Sequence, residues 1–181
     1  MNNSLQDKSV HFWGLHSLIF IVALVLDQIT KIFARKLNGQ PAIILVENVL
    51  EFRYLENRGA AFGILQGQSV FFLLIAIIVL VFMVLFFKKV PKTGKYYPLS
   101  ITFAFMSAGA VGNTIDRVYF GYVTDFIYFK LIDFPTFNVA DIWITCATFI
   151  LLFLILFKYK EDDFDFLKSN KVENNSIGKE K

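Results

Sequence analysis

The chain has 181 residues, of which 56% are hydrophobic, 22 are Phe and only 18% are charged, with a formal net charge of +3. Soluble domains are roughly 45–50% apolar and about 25% charged, so this is the composition of a membrane protein. The single cysteine, Cys146, excludes an intramolecular disulfide framework and a cysteine-cluster metal site, and the charge forms no basic stripe that would bind nucleic acid.

A spanning helix needs roughly 20 apolar residues, and four stretches reach that length, at about 13–33, 69–87, 97–115 and 138–157. The first carries Asp27 and Lys31 near its far end. Its apolar part exceeds a signal-peptide core of about 7–15 residues and no small-x-small cleavage site follows, so it reads as a retained helix. His11 and His16 lie on its N-terminal side, away from most of the acids, which argues against a catalytic or zinc-binding histidine. Next, "AIILVENVLEFRYLE" is bounded by Pro41 and the Asn57-Arg58-Gly59 turn and reads as one or two strands of a small surface sheet. In "GAAFGILQGQ", Gly59, Gly63 and Gly67 recur every four residues, a spacing that permits close backbone approach. That pattern suits helix packing or the wall of a substrate groove equally well. The second span has no charge, and the fourth begins at Asn138 and Asp141.

The expected architecture is an all-α membrane protein of four transmembrane helices, with a small extracytoplasmic β-sheet between helices 1 and 2. Residues 1–160 make one integral membrane domain, and 161–181 a polar, mobile cytoplasmic tail. The connection "KKVPKTGKYY" holds Lys88, Lys89, Lys92 and Lys95 without an acid, which marks the cytoplasmic side. Lys158 and Lys160 agree with that, whereas Arg35, Lys36, Arg53 and Arg58 in the opposite loop do not. Both termini are therefore assigned to the cytoplasm.

This orientation gathers the acids near the outer surface. Asp27 lies about 21 Å along the first span at 1.5 Å per residue. Asn113 and Asp116 end the third span, Asp125 lies in the following loop, and Asn138 and Asp141 open the fourth span. An ionisable group in a membrane segment is costly and points to function, yet each has a plain structural alternative. Asp27 with Lys31 is an i,i+4 pair, Asp116 precedes Arg117 and suits ion pairing or anchoring, and Asp133 in "KLIDFPTF" suits a solvated loop. Asp125 and Asp141 have no cation close by in sequence. Two carboxylates held together in a dry site share a proton, so that one activates water while the other polarises a carbonyl. A proton relay in a carrier could use the same residues.

Five stretches carry a resemblance: "DQITK", "NRGAAFG", "GAVGNTIDR", "VTDF" and "FNVADIWI", in that order relative to the four spans. Over roughly residues 13–157 the chain resembles the bacterial lipoprotein signal peptidases (signal peptidase II). The resemblance implies a metal-free, cofactor-free aspartic endopeptidase of the bacterial cytoplasmic membrane. It would cleave prolipoproteins immediately before the diacylglyceryl-modified cysteine, at the extracytoplasmic side. By the same resemblance Asp125 and Asp141 are the catalytic dyad, and Asp116 supports it with Arg117. Asn113 and Asn138 hydrogen-bond substrate or dyad, Asn57, Arg58 and Gly59 line the peptide groove, and Asp27 with Lys31 braces the constellation. Phe126 and Trp143 would be groove walls, the partners prolipoprotein and membrane lipid, and the working form a monomer.

Two other readings use the same acids. A small proton-coupled carrier predicts acids spread through the membrane depth and commonly internal repeats; here the acids sit at one side and repeats are absent. A structural membrane protein would pair its acids with Arg and Lys, which leaves Asp125 and Asp141 unexplained.

Overall fold

In the computed structural model, residues 3–59 and 67–167 are described. Four long helices run as α1 (Asn3–Arg35), α2 (Ser69–Lys89), α3 (Tyr97–Phe120) and α4 (Val139–Phe153), the last continuing through a π-helical turn, Leu154–Lys158. Strands β1 (Ile43–Val46) and β2 (Leu50–Asn57) lie between α1 and α2, and β3 (Val123–Phe129) lies between α3 and α4.

Among the described residues, three helices are long and apolar enough to cross a membrane, over Phe12–Arg35, Val70–Lys89 and Val139–Lys158. Their apolar residues face outward: on α1, Leu18, Ile21, Val22, Val25, Leu26, Ile29, Ile32 and Phe33 are exposed. The inward stripe of the same helix is Phe12, His16, Ala23, Asp27, Lys31 and Ala34, at three-, four- and seven-residue steps that keep to one helical face. Polar inside and apolar outside is the arrangement lipid selects.

α3 is the central helix, in contact with α1, α2 and α4. Its buried residues include Ser100, Thr102, Ala104, Ala108, Gly109, Gly112, Asn113 and Asp116. Surrounded by other helices, it needs small side chains rather than a lipid-facing coat. A Cβ on Gly109 would lie 2.5 Å from the Ala140 carbonyl oxygen of α4, and one on Gly112 would collide with the Asp27 carboxylate of α1. These two glycines let three helices meet where the acids converge. α3 also runs five residues beyond the expected end at 115, stopping where Gly121 adopts φ 77° and its N–H caps the Arg117 carbonyl. Asp116 is consequently inside the helix.

The sheet differs from expectation in one respect. It is three-stranded and antiparallel in the order β1-β2-β3, so it is not confined to the connection between the first two helices. β3, "VTDFIYF", brings the β-branched and aromatic residues that favour strands, and pairs Leu55 with Asp125 and Asn57 with Val123. Asp125 therefore sits on a ladder instead of a loose loop. Beyond it the chain folds back so that Phe137 exchanges hydrogen bonds with Ile127, its carbonyl also accepting from Phe126 N–H.

At the opposite end of the bundle Met83, Phe86, Val90, Leu99, Phe103, Leu154 and Tyr159 form an apolar cluster. The stretch Glu161–Leu167, expected as the start of a mobile tail, is a 3-10 helix whose Phe164 and Phe166 pack against that cluster. Its register is fixed by Tyr96 Oη donating to the Asp163 carbonyl and by the Lys95–Asp163 ion pair. The remaining tail, 168–181, lies outside the described residues.

Candidate active site

The site is built where α1, α3, β3 and the start of α4 meet. α4 begins with a capping box. The Asn138 side-chain oxygen accepts from Asp141 N–H (3.1 Å), and Asp141 Oδ2 accepts from Asn138 N–H (3.1 Å). An acid at this position caps the helix and complements its N-terminal dipole. Its other oxygen, Oδ1, accepts from Asn113 Nδ2 of α3 (2.8 Å). Asp141 is half-buried, whereas Asp125 is 1% exposed.

Asp125 is held by two amides. Asn138 Nδ2 donates to its Oδ1 (2.6 Å) and Asn57 Nδ2, at the end of β2, donates to its Oδ2 (2.8 Å). Asn138 thus contacts both carboxylates, through its backbone N–H to one and its side-chain amide to the other. Burial first, and the neighbouring Asp141 carboxylate second, push the Asp125 carboxyl up to about 7, against the two amide hydrogen bonds, which lower it.

Behind this pair lies a second charged layer. Lys31 is fully buried and reaches Asp27 Oδ2 at 3.0 Å, Asp116 Oδ2 at 3.6 Å and Asn113 Oδ1 at 2.8 Å. Because Asn113 Oδ1 accepts from Lys31 and from Asn138 Nδ2 (3.3 Å), its Nδ2 is left to face Asp141. Lys31 therefore sets the orientation of an amide that touches a site carboxylate. Asp27 Oδ1 accepts from Ala140 N–H (2.9 Å), tying α1 to the first turn of α4. Asp116 accepts from Thr124 N–H (2.9 Å), fixing the start of β3 on α3.

Asn57, Gly59, Arg117, Asp125 and Asp141 open onto one cavity of about 450 Å³, whose remaining wall includes Phe134, Thr136, Phe137, Ile142 and Cys146. That volume is within the usual range of about 300–1,000 Å³ for ligand pockets. Asn113 and Asn138 support the two carboxylates from behind. Asp116 pairs with Lys31 and, at 3.7 Å, with Arg35 rather than with its neighbour. Arg117 turns instead toward the cavity, over the Phe72 ring at 5.4 Å. Arg58 is exposed, pairs with Glu56 (2.7 Å) and does not line the cavity. Phe126 packs on Phe52 (5.7 Å) and Trp143 on Phe105 (5.2 Å), so neither forms a cavity wall. Asp133 is exposed and accepts from Tyr128 Oη, as a solvated loop residue would. Gly67 N–H donates to the Arg58 carbonyl (3.0 Å), closing the chain on itself beside the site; Gly63 lies outside the described residues.

Arg35, Thr124, Arg53 and Thr136 were not signalled by the sequence. Arg53 donates twice to Thr136 Oγ1 (3.0 and 2.7 Å) while lying 3.4 Å over the Tyr128 ring, and so locks the wall segment to the sheet. Only three-dimensional pairing reveals such contacts. Among the described residues no cluster of His, Cys, Asp and Glu has the form of a metal site.

Residues 19–157 match the model of the family described as signal peptidase (SPase) II. The lipoprotein signal peptidase of Caldanaerobacter subterraneus subsp. tengcongensis is 43% identical over 144 residues, covering 77% of this chain and 96% of that protein. The lipoprotein signal peptidase of Clostridium novyi is 38% identical over 143 residues, covering 77% and 95% respectively. A solved structure described as a bacterial membrane enzyme, determined by the in meso method at 2.3 Å resolution, superposes with a TM-score of 0.71. It is 31% identical and covers 88% of this chain and 95% of its own. A multi-pass helical architecture, a sheet-borne site at one end of it and these relatives converge: the chain belongs to the signal peptidase II family of lipoprotein-processing membrane peptidases.

Proposed function

We propose that this protein is an aspartic endopeptidase that cleaves prolipoproteins on the N-terminal side of the diacylglyceryl-modified cysteine, with Asp125 and Asp141 as its catalytic pair. The observation that carries this reading is that Asn138 hydrogen-bonds both carboxylates while both face one cavity. The ionised member takes a proton from a water as that water attacks the scissile carbonyl carbon. The protonated member hydrogen-bonds the carbonyl oxygen and gives up its proton as the tetrahedral species forms. When that species collapses, the amine of the cysteine leaves with a proton returned from the pair. Water is consumed and no metal or cofactor takes part.

Asn138, Asn113 and Asn57 hold the carboxylates through the cycle. The raised affinity of Asp125 for its proton keeps one proton on the pair near neutrality. Arg117 and Gly59 sit where a substrate backbone would pass. The apolar wall beside Ile142 and Cys146 suits the acyl chains of the modified cysteine.

α3, 24 residues and about 36 Å long, serves as a fourth span. Both termini and the Lys88–Lys95 connection are cytoplasmic, and the carboxylates lie at the extracytoplasmic surface of the cytoplasmic membrane. There the peptide bond meets water while the lipid stays in the bilayer. The enzyme works as a monomer.

The test is cleavage of a diacylglyceryl-modified prolipoprotein by the purified protein beside Asp141→Asn and Asp125→Asn. Each substitution is expected to lower kcat/KM by about 10³-fold or more, in line with loss of a positioned acid or base, with the protein still folded. Undiminished cleavage by either folded variant would remove that residue from the chemistry.

A further inference from the structure

A second cavity, of about 420 Å³, lies between α1 and α2 over a floor of α3, at the end of the bundle away from the carboxylates. Its lining is apolar, with Trp13, Ile21, Val84 and Phe103 among its walls, and Ile21 and Val84 are each 53% exposed, so the cleft opens toward lipid. At its end an aromatic plug of Phe12, Trp13, His16, Phe87 and Tyr97 closes the gap between the helices. Polar and charged side chains stand beside these walls. Lys88 lines the cleft, and Lys92 lies 5.0 Å over the Trp13 ring, in a connection that carries four lysines and no acid. His16 is 2% exposed; its Nδ1 donates to the Phe12 carbonyl, and its Nε2 is buried without a partner among the described residues. A carbonyl only accepts, so Nδ1 carries the hydrogen and Nε2 of the neutral ring offers a lone pair. Buried polar atoms are normally satisfied, and the ring that carries this one borders the cavity.

We propose that this cleft binds one anionic glycerophospholipid, with an acyl chain between α1 and α2, past the His16 ring, and the phosphate against Lys88 and Lys92. Charge complementarity selects the occupant. A zwitterionic lipid offsets its phosphate with a cation of its own, and a cationic peptide segment is repelled by the lysines. Basic pockets between membrane helices recognise anionic headgroups in this way. The site is separate from the carboxylates, so it stands whether or not the peptidase mechanism above is right.

The experiment is native mass spectrometry of the full chain released from micelles containing phosphatidylglycerol or phosphatidylcholine with identical acyl chains. One phosphatidylglycerol should be retained roughly thirtyfold better than phosphatidylcholine, the scale expected of two lysines at a membrane surface. The double variant Lys88→Ala, Lys92→Ala should bring the two lipids level. Ser17→Trp, at an exposed position lining the cleft, should displace both; Val84→Trp serves where the first variant does not fold. Equal retention of the two lipids by the wild type would overturn the proposal. So would a preference that survives the double lysine change, or lipid retention unaffected by a folded cleft-filling variant.

Discussion

The two ends of the helix bundle are held together by opposite means. At one end four carboxylates, Lys31 and three asparagines form a network in which each contact is directional. Asp27 reaches α4 through Ala140, Asp116 reaches β3 through Thr124, and Asn138 reaches both Asp125 and Asp141. At the other end Phe86 stacks on Phe103 at 4.4 Å, Tyr96 on Tyr159 at 5.7 Å, and Phe164 and Phe166 close the cluster. Apolar contact is non-directional and tolerates rearrangement. A buried charge network does not, because each group left unpaired retains its desolvation penalty. The first end therefore fixes the relative positions of its side chains, and the second supplies cohesion.

This contrast can be broken by substitution. The largest effect is expected at Lys31, which is fully buried between two carboxylates. Lys31→Met leaves Asp27 and Asp116 without their shared cation, which should destabilise the fold by about 3–5 kcal/mol. Because Asn113 then loses the partner that orients it, kcat of the surviving folded protein should fall as well. Thermal unfolding in detergent together with single-turnover cleavage separates the two effects. Phe86→Ala, at 8% exposure in the apolar cluster, should cost about 3 kcal/mol of stability. It should leave kcat of the folded fraction unchanged; a loss of kcat there would show that the two ends are coupled. Lys95→Ala is the smallest case. Its ion pair with Asp163 is at the surface, where such pairs contribute little, so no shift in the unfolding midpoint is expected.

Asp125 adds a pH dependence to the first end. Its carboxyl is raised from 3.8 to about 7 by burial and by Asp141. The folded form therefore favours the protonated acid. The stability tied to this group is fully present below about pH 4 and is lost as the pH rises through about 7. The gap in unfolding midpoint between the wild type and Asp125→Asn should shift against the wild type over that window.

Much of this layout is legible in the sequence, because lipid imposes simple rules on it. The long helices stand out by hydropathy, and the acids stand out against that background. The helix-opening role of Asp141 also follows from Asn138 three residues earlier. α3 was harder to delimit, since a helix enclosed by others carries glycine, serine and asparagine in place of a uniform apolar run, and its end is set by the left-handed Gly121. The strand containing Asp125 was missed because the ladder that makes it a strand belongs to β2, some seventy residues earlier. The pairing of Asp116 with Lys31 and Arg35, rather than with adjacent Arg117, is hidden for a related reason. Neighbouring residues on a helix point about 100° apart, so sequence adjacency misleads where a distant helix supplies the partner.

The most direct test of a proton-sharing carboxylate pair is the pH dependence of kcat/KM for cleavage of a diacylglyceryl-modified prolipoprotein. The raised Asp125 carboxyl predicts a bell-shaped profile whose alkaline limb falls near pH 7, as the pair loses its last proton. A flat profile between about pH 4 and 9 would contradict an aspartic pair as the centre of this enzyme's chemistry.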